Sequence, residues 1–277
     1  MNEKKCFPIL DSKHILTTTK ALYNMKLVDC GEYILVYLYD NKKVRNTNDN
    51  EDLKLKSKVV HNYDYGNNET KEDSSNIEER SIIRSKLECQ RLAKANIDEW
   101  ETFITLTFKD NITDLEFANK RFRYFIDKVQ RVKKDFKYLC ITEFQKRGAT
   151  HYHLLTNIKI DDEKLLYSQE DNKKFKHIKY WLDGFSSIEV LKNNPKKVIG
   201  YIAKYMTKDI DNRLFNRHRY FYSRNLKKPS VSFINTDKVR EKDYYTKKIQ
   251  DTSLIYQNEY YNPYDNSKVI YLEFQKN

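Results

Sequence analysis

The sequence predicts an α+β protein: an antiparallel-rich central sheet with flanking helices, in a ferredoxin-like or RRM-like arrangement. Three observations carry this. Tyr138–Ile158 holds two runs of β-branched and aromatic residues joined by the polar, glycine-containing Lys146-Arg147-Gly148-Ala149, a β-hairpin signature. From Thr102 to Lys208 the pattern alternates as strand, helix, strand, strand, helix, strand, helix, which closes as an antiparallel sheet with helices on one face. The 277 residues are 39% hydrophobic, enough to bury a core.

Taken in order, residues 1–40 form an N-terminal β segment whose clear strand is Glu32–Tyr39 (EYILVYLY). Residues 41–76 turn polar, with few apolar anchors, and are expected to be a flexible connector. Ile82, Ile83, Leu87, Leu92 and Ala93 recur at helical spacing within Ile77–Ala95, leaving Arg80, Arg84, Lys86, Arg91 and Lys94 for a solvated or DNA-facing side. Thr102–Phe108 (TFITLTF) is a strand of almost wholly β-branched and aromatic residues. Thr113 or Asp114 caps a helix running to about Lys134. Its apolar face comprises Leu115, Phe117, Phe122, Phe125, Ile126 and Val129, and its basic face Lys120, Arg121, Arg123, Lys128, Arg131 and Lys133.

After the hairpin come a polar loop (Asp161–Lys174), a helix around Phe175–Leu182 broken by Gly184, and a strand over Phe185–Leu191. Pro195 then sits in the first turn of a helix over Lys196–Lys208. Arg217–Leu226 is a basic aromatic strand. Within 236–277, a C-terminal extension, Ser253–Phe274 forms a hairpin around Asn262-Pro263. The core domain so delimited is 77–235.

Lys and Arg number 52 against 40 Asp and Glu, a net charge of +12, and the pI is near 9.2. That balance favours a polyanionic partner. The 22 Tyr and 14 Phe residues provide aromatic faces that stack unpaired bases or fill the core. Cys6, Cys30, Cys89 and Cys140 are scattered, which argues against a zinc knuckle or a disulfide framework. No signal-peptide core and no run long enough to span a bilayer is seen, so a cytoplasmic location without membrane association is expected. The five glycines cannot form GxxxxGK[ST], so the chain carries no helicase motor of that kind.

Two constellations carry chemistry. His151 and His153 project from one face of the second hairpin strand. Glu143, on the first strand, joins that face opposite one of them if the loop holds three or five residues, and the other face if the loop is even. Two imidazoles and a carboxylate together can hold one divalent metal; their ligand softness permits zinc, manganese or iron. The second constellation is V-I-G-Y-I-A-K-Y-M-T-K, where Tyr201 and Tyr205 lie at i and i+4 on one helix face, and Lys204 and Lys208 form a second such pair. The spacing alone is weak evidence, because Tyr33/Tyr37, Tyr256/Tyr260 and Tyr260/Tyr264 share it.

The run E-F-Q-K-R-G-A-T-H-Y-H-L-L resembles the metal-binding motif of rolling-circle replication initiators in the HUH endonuclease superfamily, and Y-x-x-K-Y downstream resembles the nucleophile motif of the two-tyrosine members. Thr102–Phe108 resembles their first motif, and the likeness spans roughly Ile77 to Ser232. It implies an HUH endonuclease core in 77–235 and a plasmid or phage initiator that nicks and rejoins DNA strands. It further implies Mg or Mn on His151, His153 and Glu143, and attack by Tyr201 or Tyr205 to give a 5′-phosphotyrosine. Lys204 would lower a phenol pKa or contact phosphate, or is a surface lysine. Single-stranded origin DNA presented as a hairpin would be the substrate, with Arg147, Lys208, Arg219, Arg224 and Lys227 contacting phosphates, Tyr220 or Tyr222 offering stacking platforms, and the host supplying helicase and DNA polymerase. Rival readings are an HUH transposase or relaxase, a hydrolytic metal nuclease, and a non-catalytic RRM-like nucleic-acid binder.

Overall fold

The computed structural model describes residues 19–47, 74–169, 172–191, 219–237, 251–262 and 265–277, together with 197, 198, 200, 201, 204 and 249. Over these the chain is α+β, with two five-stranded antiparallel sheets.

One sheet is assembled from both ends of the chain. β1 (Thr19–Cys30) and β2 (Tyr33–Thr47) form a hairpin whose two-residue turn opens with Gly31 at φ +79°. A side-chain-free residue there matches the turn twist to that of the strands. The C-terminal hairpin, β11 (Thr252–Tyr261) and β12 (Lys268–Lys276), docks on β2, and β10 (Ser230–Ile234) closes the other edge in the order β10-β1-β2-β12-β11. The expected C-terminal hairpin is present. β2, however, continues through residues 41–47, where a connector was expected, because β1 supplies partners as far as Thr19 opposite Thr47.

The second sheet has the order β8-β3-β5-β4-β9, from β3 (Thr102–Phe108), β4 (Tyr138–Phe144), β5 (Thr150–Thr156), β8 (Gly184–Val190) and β9 (Tyr220–Tyr222). Both faces are covered, not one. On one, α2 (Leu115–Val132) lays Ala118, Phe122, Phe125, Ile126 and Val129 against Ile104, Leu106, Cys140, Tyr152 and Leu154. Asp114 caps α2, its Oδ1 accepting from the N–H of Glu116 (2.9 Å) and Phe117 (3.2 Å). Phe117, expected on the apolar face, lies well outside it and is exposed.

On the other face α1 (Ser74–Ala95) sets Cys89, Leu92 and Ala93 against Phe103, Leu139, Ile141 and Leu155. Its far side meets the terminal sheet. Ala95 packs with Val28, Cys30 and Leu35. Arg91 donates to the Tyr37 hydroxyl at 2.9 Å, and Lys94 pairs with Glu273 at 2.5 Å. Arg91 and Lys94 are therefore buried between two layers, contrary to the solvated or DNA-facing side expected of them. Helical periodicity cannot reveal that a second sheet covers the polar side.

The segment expected as a loop and a helix is instead a hairpin, β6 (Leu166–Gln169) with β7 (Asn172–Ile178). Leu166, Ile178 and Trp181 fill the α2 core. Their spacing suits a short strand as well as a helical turn. β8 follows at Gly184, whose Cα abuts the end of β3: an added Cβ would lie 2.2 Å from the Thr107 carbonyl oxygen. No described helix is long and apolar enough to cross a membrane.

Candidate active site

The hairpin loop decides the geometry. Gly148 N–H donates to the Gln145 carbonyl (2.7 Å) and Gln145 N–H to the Ala149 carbonyl (2.9 Å), leaving Lys146-Arg147-Gly148 as a three-residue turn with Gly148 at φ +88°. The odd loop places Glu143 directly opposite His151, with Ile141 opposite His153. All three polar groups therefore share a face.

Pairing across the sheet orders that face into rows. The outer row reads Phe185, Thr107, His151, Glu143; the middle row Ser187, Thr105, His153, Ile141, Tyr220; the inner row Glu189, Phe103, Leu155, Leu139, Tyr222. α1 and Val198 cover the inner row, and the β8 end of the outer rows is open, with Phe185 and Ser187 exposed.

His153 is held at both ring nitrogens: Nε2 lies 2.6 Å from Glu143 Oε2, and Nδ1 lies 3.1 Å from Thr105 Oγ1. The His151 and His153 rings are 6.1 Å apart. Among the described residues no three His, Cys, Asp or Glu side chains converge as a ready-made metal site. The donor set nevertheless suits a divalent cation in type and placement, being two imidazoles and a carboxylate on one face. A cation on His153 Nε2 requires the bond to Glu143 to open and the ring proton to move to Nδ1. The Thr105 hydroxyl both donates and accepts, so it supports either tautomer.

Lys197, Val198, Gly200, Tyr201 and Lys204 are helical. Tyr201 stacks on Phe103 at 4.1 Å and 9°, and the Phe103 ring lies parallel to that of His153 at 5.7 Å. This column holds the phenol against the histidine-bearing sheet. Its hydroxyl donates to the Glu189 carboxylate, which is also ion-paired with Lys197. Lys204 is exposed. Tyr205 and Lys208 lie outside the described residues.

The other sequence-predicted contacts are dispersed. Arg147 is exposed at the hairpin tip, its Nε donating to Gln145 Oε1 at 2.8 Å. Arg224 is exposed. Arg219 reaches Ser81 and Ser85 of α1, both at 3.3 Å. Lys227 pairs with Asp98 at 2.6 Å, and that hydrogen bond raises its pKa. Tyr220 and Tyr222 pack beside the α1 core. Tyr220 meets Glu88 at 3.3 Å, and burial pushes its phenol well above the usual range. Lys228 sits over the Tyr222 ring at 3.6 Å. Thr105 and Glu189 carry site contacts that sequence reading missed. The available signals were the lone acid of FSSIEV and the alternation in TFITLTF, which puts Thr105 on the site-facing side.

Comparison with known proteins is consistent with this geometry. Residues 101–210 match the family model of replication-associated proteins of the ORF2 type. The match begins just before β3 and takes in the histidine hairpin, β8 and both tyrosines, leaving out all five strands of the terminal sheet. The chain is 30% identical over 128 residues to the Phasyl DNA replicon protein arp of Escherichia coli, an alignment covering 40% of this chain and 44% of that protein. The chain thus spans under half the length of the curated relative it matches. No solved structure matches it. Both similarities support a role in initiating DNA replication.

Proposed function

We propose that the chain is a replication initiator that nicks and rejoins single-stranded origin DNA by tyrosine transesterification, as in rolling-circle replication. The observation that carries the reading is the shared face: Glu143, His151 and His153 stand on it, and Tyr201 is held against it through Phe103.

His151, His153 and Glu143 would hold a divalent cation, Mg or Mn, which when bound offsets charge on the scissile phosphate. Thr105 keeps the His153 ring in place. Tyr201 attacks phosphorus, its oxygen forming the new P–O bond as the bond to the 3′ oxygen breaks, and the 3′ hydroxyl leaves carrying a proton. Glu189 is the acceptor for the phenol proton. Full transfer from a phenol of pKa ~10 to a carboxylate of ~4.3 would cost on the order of 8 kcal/mol, so it proceeds in step with P–O bond formation. Reversal joins strands. Tyr205 would serve as the second nucleophile, Lys204 as a phosphate contact, and host proteins as helicase and polymerase.

The test is incubation with labelled single-stranded origin DNA and Mn²⁺, followed by denaturing electrophoresis. A covalent adduct is expected from wild type, lost in Tyr201→Phe/Tyr205→Phe and in His151→Ala. Cleavage that persists without both tyrosines would identify a hydrolase; binding to the replicon's own DNA with no cleavage would identify a binding module.

A further inference from the structure

We propose that Phe185 is the floor of a nucleobase subsite that stacks an unpaired base beside the cleaved phosphate, an assignment that rests on the nicking function proposed above. Phe185 is 63% exposed, unusual for a large apolar ring on the site-bearing face of a domain's main sheet. Its position is fixed by pairing. It lies opposite Thr107, which lies opposite His151, so the three share a row and a face. Two strand spacings, about 10 Å, separate it from His151, the reach of a neighbouring nucleotide.

The surroundings select the ligand. Inner-row rings are committed: Phe103 is stacked by Tyr201, and Tyr222 lies under Lys228. Phe185 presents its ring at the open edge, flanked by the hydroxyls of Thr107 and exposed Ser187 and followed along β3 by exposed Lys109. An aromatic platform among hydroxyls and a cation suits a planar, polar-edged base attached to an anionic backbone. Duplex DNA keeps its bases stacked within the helix and cannot use such a platform, so the strand bound here is single.

Base stacking on one aromatic contributes affinity that alanine substitution reduces by about 5- to 150-fold. The experiment uses the full chain in EDTA, so that no strand is cut, and fluorescence anisotropy with a labelled oligo(dA) of about 20 nucleotides and an abasic strand of equal length and charge. Phe185→Ala and Phe185→Leu are expected to weaken oligo(dA) binding within that range, Phe185→Trp to preserve it, and all to bind the abasic strand as wild type does. Unchanged oligo(dA) affinity in Phe185→Ala, or equal loss on both strands, overturns the subsite. Retention by Leu overturns it too, since greasy contact and not stacking would then be at work. The adduct assay separates the two proposals. An adduct from wild type with no Phe185 effect removes only the subsite; a Phe185 effect without any adduct removes the nicking reaction and leaves a single-strand binding platform.

Discussion

Lys26 offers a quantitative test of the contact between the two sheets. The residue is 5% exposed, its ammonium between the rings of Tyr37 (5.8 Å) and Phe233 (5.6 Å). Burial first and the Arg91 guanidinium second lower its pKa from the ordinary 10.5 to about 7, against an opposing pull from Glu88. A depressed base costs stability wherever it is protonated in the folded state, so the cost is complete below pH 7 and fades as pH rises toward 10.5. At about 1.4 kcal/mol per pH unit the full cost is about 5 kcal/mol, and by pH 9 it has fallen to about 2. Lys26→Met keeps the shape and removes the charge. It is expected to stabilise the protein more at pH 6 than at pH 9, by about 3 kcal/mol or some 6 °C in Tm. Calorimetry at the two pH values measures this. An equal gain at both, or a loss at both, would refute the reasoning, because the ammonium would then be compensated in the fold.

Three further outcomes follow from particular contacts. Thr105→Val removes the hydroxyl 3.1 Å from His153 Nδ1 and is expected to weaken Mn²⁺ binding about 10- to 100-fold by titration calorimetry, without lowering Tm in EDTA; unchanged affinity would show the hydroxyl to be incidental. Gly184→Ala puts a Cβ 2.2 Å from the Thr107 oxygen and 2.4 Å from the Lys109 nitrogen, and should cost about 1–3 kcal/mol in urea denaturation; an unaltered midpoint would mean that β8 shifts freely. Burial raises the Cys30 thiol to about 12 and those of Cys89 and Cys140 higher still, so iodoacetamide at pH 8 should label none of the three by mass mapping until denaturant is added.

How far the sequence could be read depended on the range of the interactions. Gly148 marked the hairpin turn, and the alternation around Tyr152 placed both histidines on one face, because both are local effects. Whether Glu143 joined them hung on the parity of the loop, which Lys146-Arg147-Gly148-Ala149 does not state. Thr105 and Glu189 could not be assigned roles without knowing that β3 pairs with β5 on one side and β8 on the other. The most non-local feature was the least legible: Tyr37 opposite Tyr271 and Met25 opposite Ile234 unite segments that look, in sequence, like separate appendages. Arg91 and Lys94 were misplaced for the same reason, since it is that sheet which buries them.

The pairing of β2 with β12 also sets an order of events during synthesis. The β1–β2 hairpin emerges early, yet β2 lacks its outer neighbour until residues up to Lys276 have been translated. Sheets closed over such sequence distances form slowly, because a long loop must be ordered before the contacts repay it. Until then Val36 and Leu38, both buried in the finished protein, sit on an open strand edge. The nascent chain therefore passes through a stage in which its catalytic half can be complete while its first strands still await its last.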